Sequence, residues 1–140
     1  MGVGAKKNMT TKISILLAED NEFNKKVGLA MLKRLGFSTV DTAKNGQDVL
    51  DKCAQQDYDL ILMDCEMPVL DGYGAATQLR QREQNTGRHT LIIAATAHTL
   101  EEDKQRCLKA GMDDYLAKPF KLEALTALFT YWKITVDGRL

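Results

Sequence analysis

The sequence is short of the residues that would staple, kink or strongly charge a small protein. Its 140 residues include three cysteines, two prolines and a single tryptophan. Cys53, Cys65 and Cys107 are widely spaced and form no CxxC pair. Neither a disulfide framework nor a zinc site is therefore expected, and a reducing cytosolic setting fits best. Charge of one sign is also missing: 19 basic and 19 acidic side chains cancel. No global field draws the chain to nucleic acid or to a membrane surface. The longest apolar runs, such as Leu91 to Ala95, are too short to span a bilayer. No strand-to-helix junction carries a phosphate-cradling glycine loop, and Lys6 stands where a myristoylation signal needs Ser or Thr.

What remains is ordinary for a globular chain, with 44% hydrophobic and 27% charged residues. The length suits one domain able to bury a core unaided. We expect a disordered leader over residues 1–11, a domain over 12–133 and a tail over 134–140.

Apolar runs alternate with amphipathic segments along the domain. Ile13 to Ala18 is a buried strand that stops at Glu19-Asp20-Asn21. Val27, Met31, Leu32 and Leu35 recur at helical spacing, and Gly36 ends that helix. Ser38 to Ala43 alternates weakly, as an edge strand would. Asn45-Gly46 leads into a helix using Val49, Leu50 and Cys53. Asp59 to Met63 is a second buried strand, ending at Asp64. After Pro68 and Asp71-Gly72 a helix carries Tyr73, Ala76 and Leu79. Leu91 to Ala95 is a strand ending at Thr96, and a helix from Leu100 to Ala110 is closed by Gly111. Tyr115 to Ala117 is a strand ending at Lys118-Pro119. A last helix aligns Leu122, Leu125, Phe129 and Trp132. Repeated β–α units of this kind form a parallel sheet with helices on both faces.

The polar residues fall at the strand ends. Glu19 and Asp20, Asp64, Thr96 and Lys118 all lie at carboxyl ends, the edge where open α/β sheets bind ligands. If the strand order is 2-1-3-4-5, Asp20 and Asp64 face each other across the switch point. Taken singly, each residue has a plain structural role. Asp20 could cap a helix, Glu19 could be a solvated acid and Asp64 a turn residue. Thr96 could make a local hydroxyl bond and Lys118 could be a surface lysine. Jointly they suggest chemistry. Three carboxylates together need a cation, and oxygen ligands suit Mg²⁺. A carboxylate beside a metal and a lysine can accept a phosphoryl group without a base, because positioning and charge stabilisation do most of the work.

Four blocks then carry a family resemblance. They are Leu17-Ala18-Glu19-Asp20-Asn21, Met63-Asp64-Cys65-Glu66-Met67-Pro68 with Asp71-Gly72, Ala95-Thr96-Ala97, and Gly111 through Pro119. In this order and spacing the chain resembles the receiver domain of two-component response regulators, over about residues 13 to 132. The resemblance implies a flavodoxin-like (βα)5 doubly wound parallel sheet with strand order 2-1-3-4-5. It implies Asp64 as phosphoacceptor, and a Mg²⁺ site (Mn²⁺ able to substitute) from Glu19, Asp20, Asp64 and the Glu66 backbone carbonyl. It implies Lys118 as phosphate-binding lysine, Thr96 and Tyr115 as switch residues, and a cis Lys118–Pro119 peptide. The donor would be a histidine kinase or histidine phosphotransfer domain.

Glu19 to Asn24 and Met63 to Pro68 are most similar to receivers of hybrid sensor histidine kinases, with Asn24 supporting that subtype. About eight residues follow Trp132, so a stand-alone module or a piece of a hybrid kinase is expected, with no DNA-binding output. The isolated module would be a cytoplasmic phosphoacceptor rather than an enzyme. Glu66 and His98 are expected to tune phosphoryl lifetime, whereas His89 is read as surface. Two rivals stay open: a phosphohydrolase using Asp64 and Glu66, and a flavodoxin-like cofactor binder whose acidic switch point would repel a phosphate.

Overall fold

Strand and helix alternate through five β–α units: β1 (Ile15–Ala18), α1 (Glu22–Arg34), β2 (Val40–Ala43), α2 (Gly46–Gln55), β3 (Leu60–Asp64), α3 (Gly72–Glu83), β4 (Leu91–Thr96), α4 (Glu101–Lys109), β5 (Asp114–Ala117) and α5 (Leu122–Tyr131). The computed structural model describes residues 12–139, so the leader expected over 1–11 lies outside the described residues. All five strands are parallel in the order β2-β1-β3-β4-β5. This is the flavodoxin-like arrangement expected from the sequence.

The period-two geometry of the strands divides the core into two layers. Leu16, Ile61, Met63, Ile92 and Ala94 face one cluster with Val49 and Leu50 of α2, Ala75, Ala76 and Leu79 of α3, and Cys107 of α4. Ile15, Leu17, Leu60, Leu62, Leu91 and Ile93 face the other, against Leu32 of α1 and Leu125 and Phe129 of α5. Because β1, β3 and β4 are buried on both faces, they read as continuous apolar runs.

Several boundaries differ from the sequence expectation; β2, for example, starts at Val40 rather than Ser38. β1 starts at Ile15 rather than Ile13, because Ser14 N–H donates to Asp59 Oδ2 at 2.9 Å and Ser14 O accepts from Asp59 N. The residues expected to be a tail form a hairpin, β6 (Ile134–Thr135) with β7 (Gly138–Arg139). Ile134 is buried in the cluster that holds Phe37 and Phe129, and Lys12 N–H donates to Val136 O at 2.9 Å. A lone isoleucine after a helix gives too little periodicity to announce such a strand.

His89, read as a plain surface residue, has its Nε2 at 2.6 Å from Asp113 Oδ1. Asp113 is held in turn by Arg80 Nη2 at 2.9 Å and by Ile92 N–H at 2.8 Å. No helix among the described residues is long and apolar enough to cross a membrane.

Candidate functional site

The carboxyl edge of the sheet gathers the polar strand ends. Glu19 and Asp20 follow β1, and parallel pairing of β1 with β3 sets Ala18 opposite Met63 and so brings Asp64 alongside. Carboxylate oxygens of Glu19, Asp20 and Asp64 all lie within 4.8 Å of one another. Glu19 and Asp64 are buried, while Asp20 is exposed at the rim. Among the described residues this is the only such group of potential metal ligands.

Asp20 does not cap α1. Asn21 does, its Oδ1 accepting from Asn24 N–H at 2.8 Å. The Asp20 carboxylate therefore remains available to the cluster. Asn21 N–H donates to Glu19 Oε2 at 3.1 Å, which holds the buried acid in place.

Lys118 reaches in from the end of β5. Its Nζ lies 2.9 Å from Glu19 Oε1 and 3.4 Å from Asp64 Oδ2. Asp64 Oδ1 also accepts from Glu66 N–H at 3.2 Å. Burial, with the Glu19 carboxylate alongside, pushes the Asp64 carboxyl up to about 7 against the pull of Lys118. Burial works against the Lys118 charge, yet its bond to Glu19 and the two carboxylates hold it above the ordinary lysine range. Three acids with a single ammonium, held by Glu19 and Asp64, are short of positive charge, and every potential metal ligand is a hard oxygen. That donor set fits a Mg²⁺-class cation.

Thr96 is buried, and its hydroxyl is engaged with the backbone of His98. It donates to His98 O at 3.2 Å and accepts from His98 N–H at 2.9 Å. Its backbone carbonyl accepts from Lys118 N–H at 2.9 Å, which ties the ends of β4 and β5 together. His98 Nε2 in turn sits 3.2 Å from Glu66 Oε1. The Lys118–Pro119 peptide is cis. Tyr115 stands apart from the acids, half-buried beneath Lys104, whose Nζ lies 4.8 Å from the ring centre.

Three features escaped the sequence reading. Gly72 packs against the phosphosite strand so closely that a Cβ there would lie 2.3 Å from Asp64 O. The sequence marks Asp71-Gly72 only as a turn, since the backbone approach exists only once β3 and α3 are packed. Val69 has φ 70°, and Leu70 N–H donates to Pro68 O at 2.8 Å. That is a γ-turn of the strained hand carrying a β-branched residue. Phe23 in the first turn of α1 is 73% exposed, and it lines a small cavity beside Glu19 and Lys118 with Val27 and Phe120. An aromatic on the solvent side of a helix was the available signal for it.

The family model "Response regulator receiver domain" matches residues 15–130. Hybrid signal transduction histidine kinase K of Dictyostelium discoideum is 39% identical over 118 residues, 81% of this chain and 10% of that protein. Histidine protein kinase 1 of Candida albicans is 40% identical over 133 residues, 89% of this chain and 5% of that protein. The chain thus spans a tenth or less of the length of these relatives. Among solved structures, the receiver domain of sensor histidine kinase PA1611 from Pseudomonas aeruginosa, with a magnesium ion coordinated in its active site cleft, aligns with TM-score 0.76 and 47% identity. That alignment covers 86% of this chain and 96% of the other. The Saccharomyces cerevisiae co-crystal of the histidine phosphotransfer protein Ypd1 with the receiver domain of Ssk1 aligns with TM-score 0.79 and 36% identity, covering 88% and 90%.

Proposed function

The chain belongs to the response regulator receiver domain family, and on that premise we propose that Asp64 accepts a phosphoryl group from a phosphohistidine in a Mg²⁺-dependent reaction. The observation that carries this reading is the Glu19–Asp20–Asp64 cluster bridged by Lys118. Asp20, Asp64 and the Glu66 carbonyl would hold the metal, with Glu19 completing the acidic set and anchoring Lys118. When bound, Mg²⁺ neutralises charge on the carboxylates and on the transferring oxygens.

An Asp64 carboxylate oxygen forms the new O–P bond as the P–N bond to the donor imidazole breaks, the bonding pair staying with the imidazole. The attacking carboxylate is an already ionised nucleophile, so no base is required. Lys118 stands 3.4 Å from Asp64 Oδ2, within reach of a phosphoryl oxygen. Transfer leaves one more negative charge on the site. Thr96 then exchanges its two bonds with His98 for one to the phosphoryl group, and Tyr115 follows inward. The linked ends of β4 and β5 carry this change to the surface of α4, β5 and α5, biasing it between two states. Water slowly hydrolyses the acyl phosphate, at a rate set in part by Glu66 and His98.

The partner is a histidine kinase or histidine phosphotransfer domain, and the Ypd1 co-crystal of a similar receiver supports the second. The chain would serve as a cytoplasmic module of a hybrid histidine kinase or as a stand-alone receiver. It would be a phosphoacceptor with autodephosphorylation rather than an enzyme, its receiver unit spanning residues 12–133 with the β6–β7 hairpin packed against it.

The test is incubation with acetyl phosphate, with and without Mg²⁺, read by intact mass. A single phosphate adduct that requires Mg²⁺ and is absent from Asp64→Asn is the expected result. Glu66→Asn and His98→Ala should alter its decay, and unchanged rates in both would remove their tuning role. No adduct from a folded, Mg²⁺-binding protein, either with acetyl phosphate or with a phosphorylated phosphotransfer domain, would overturn the proposal. Sustained turnover of phosphate esters would identify a hydrolase instead.

A further inference from the structure

At the opposite end of the sheet from the acids lies a cavity that phosphoryl acceptance does not use. It occupies about 330 Å³ between the ends of α2 and α3 and the amino ends of β3 and β4. Its apolar surface comes from Cys53, Tyr58 and Leu79. The Tyr58 hydroxyl is taken up by Asp41 Oδ2 at 2.7 Å. Burial raises the Cys53 thiol to about 11, so it stays neutral and behaves as a small hydrophobe.

Two guanidinium groups line the rim, each steadied by a backbone carbonyl. Arg82 Nη1 donates to Leu50 O at 3.0 Å, and Arg88 Nη2 donates to Tyr58 O at 3.2 Å. The rim acids are largely occupied. Glu83 binds Arg80 Nη1 at 2.6 Å and accepts from Thr90 N–H at 2.7 Å. Asp57 faces solvent and lies 3.7 Å from Arg88 Nε. Arg82 makes no ion pair among the described residues. One carbonyl bond leaves most of its five N–H donors for another acceptor.

We propose that this cavity binds a small amphipathic anion, a one- or two-ring aromatic carboxylate with its rings on Cys53, Tyr58 and Leu79 and its carboxylate on Arg82. The size is suitable: a cavity of about 150 Å³ takes benzene, and sites that hold small ligands begin near 300 Å³. The chemistry is suitable too. A planar guanidinium held by one carbonyl bond presents a fork that a carboxylate matches in two places. A neutral aromatic would forgo that match, and an inorganic anion would leave the apolar wall uncovered.

The probe is 2-naphthoate, titrated into the full chain and followed by amide NMR, with iodoacetamide alkylation of Cys53 at about pH 9, where a small fraction of the raised thiol ionises, as a second readout. Cys65 and Cys107 are buried to 1% exposure or less, so alkylation reports on Cys53. Expected are saturable binding with Kd about 0.1–1 mM, shifts at Cys53, Tyr58 and Leu79, and protection of Cys53 from alkylation. Arg82→Gln should weaken 2-naphthoate roughly fivefold or more, and 2-naphthalenemethanol, which lacks the charge, should bind the unmodified chain that much more weakly. Four results would each overturn the proposal: no saturation below about 5 mM, equal affinity for the alcohol, an indifferent Arg82→Gln, or an unprotected Cys53. The alcohol comparison uses the unmodified chain, so it decides the matter even if the variant folds poorly.

Discussion

Asp64 carries two demands that conflict until a cation arrives. It must stay ionised to act as a nucleophile, yet it is buried beside Glu19, and its carboxyl is raised from 3.8 to about 7. A carboxyl whose folded pKa lies above its unfolded value binds more protons in the fold than in the unfolded chain. Stability therefore falls as pH rises between those two values. Without divalent cations, the unmodified protein should lose stability from about pH 4 to pH 7 relative to Asp64→Asn. The variant should be about 1–2 kcal/mol the more stable of the two at pH 7. Urea melts of both proteins across that range check this, and a parallel pH profile would refute it. Adding Mg²⁺ should narrow the gap at pH 7, since a ligand that binds only the fold stabilises it. Lys118, whose shift lies at higher pH, does not affect this window.

The passage from β3 into α3 uses glycine where space demands it and lacks it where conformation would favour it. Gly72 lies against the backbone of the phosphosite strand, where an added Cβ would meet Asp64 O at 2.3 Å. Backbone cannot yield as a side-chain tip does, so Gly72→Ala should destabilise by about 1–3 kcal/mol and displace Asp64. Val69, three residues earlier, is 82% exposed at φ 70°. Little packing is lost there, and a conformation costly for a β-branched residue is relieved. Val69→Gly should therefore be neutral or stabilising by up to about 1 kcal/mol. Paired urea melts give the two signs, and like signs in both variants would contradict the assignment. The caps belong to the same scale: Asn21, Asn45 and Asp71 cap α1, α2 and α3 through their side chains, and the first of these leaves Asp20 to the acidic site.

For the molecule as a whole, the terminal hairpin closes one layer of the core. Ile134 is 6% exposed beside Phe37 and Phe129, far from the acidic edge. Ile134→Ala should cost about 2 kcal/mol of stability while leaving acetyl phosphate labelling of Asp64 unchanged; labelling that falls with stability intact would show the layers to be coupled. The hairpin also marks the limit of what the chain reveals without its fold. The sequence by itself determined the order of β–α units, because β1, β3 and β4 are apolar on both faces and need covering twice. It likewise determined which residues stand at the carboxyl edge, because Glu19, Asp20, Asp64, Thr96 and Lys118 each end an apolar run. Only the tertiary structure decided how they meet. Parallel pairing of β1 with β3 sets the acids within 4.8 Å, and the reach of Lys118 from β5 joins Glu19 to Asp64. It decided that Thr96 is turned to His98, that Gly72 has no room for a Cβ, and that residues after α5 fold back onto Phe37. Apart from the local Thr96–His98 bonds, each of these depends on one element packing against another, and local pattern carries no record of that.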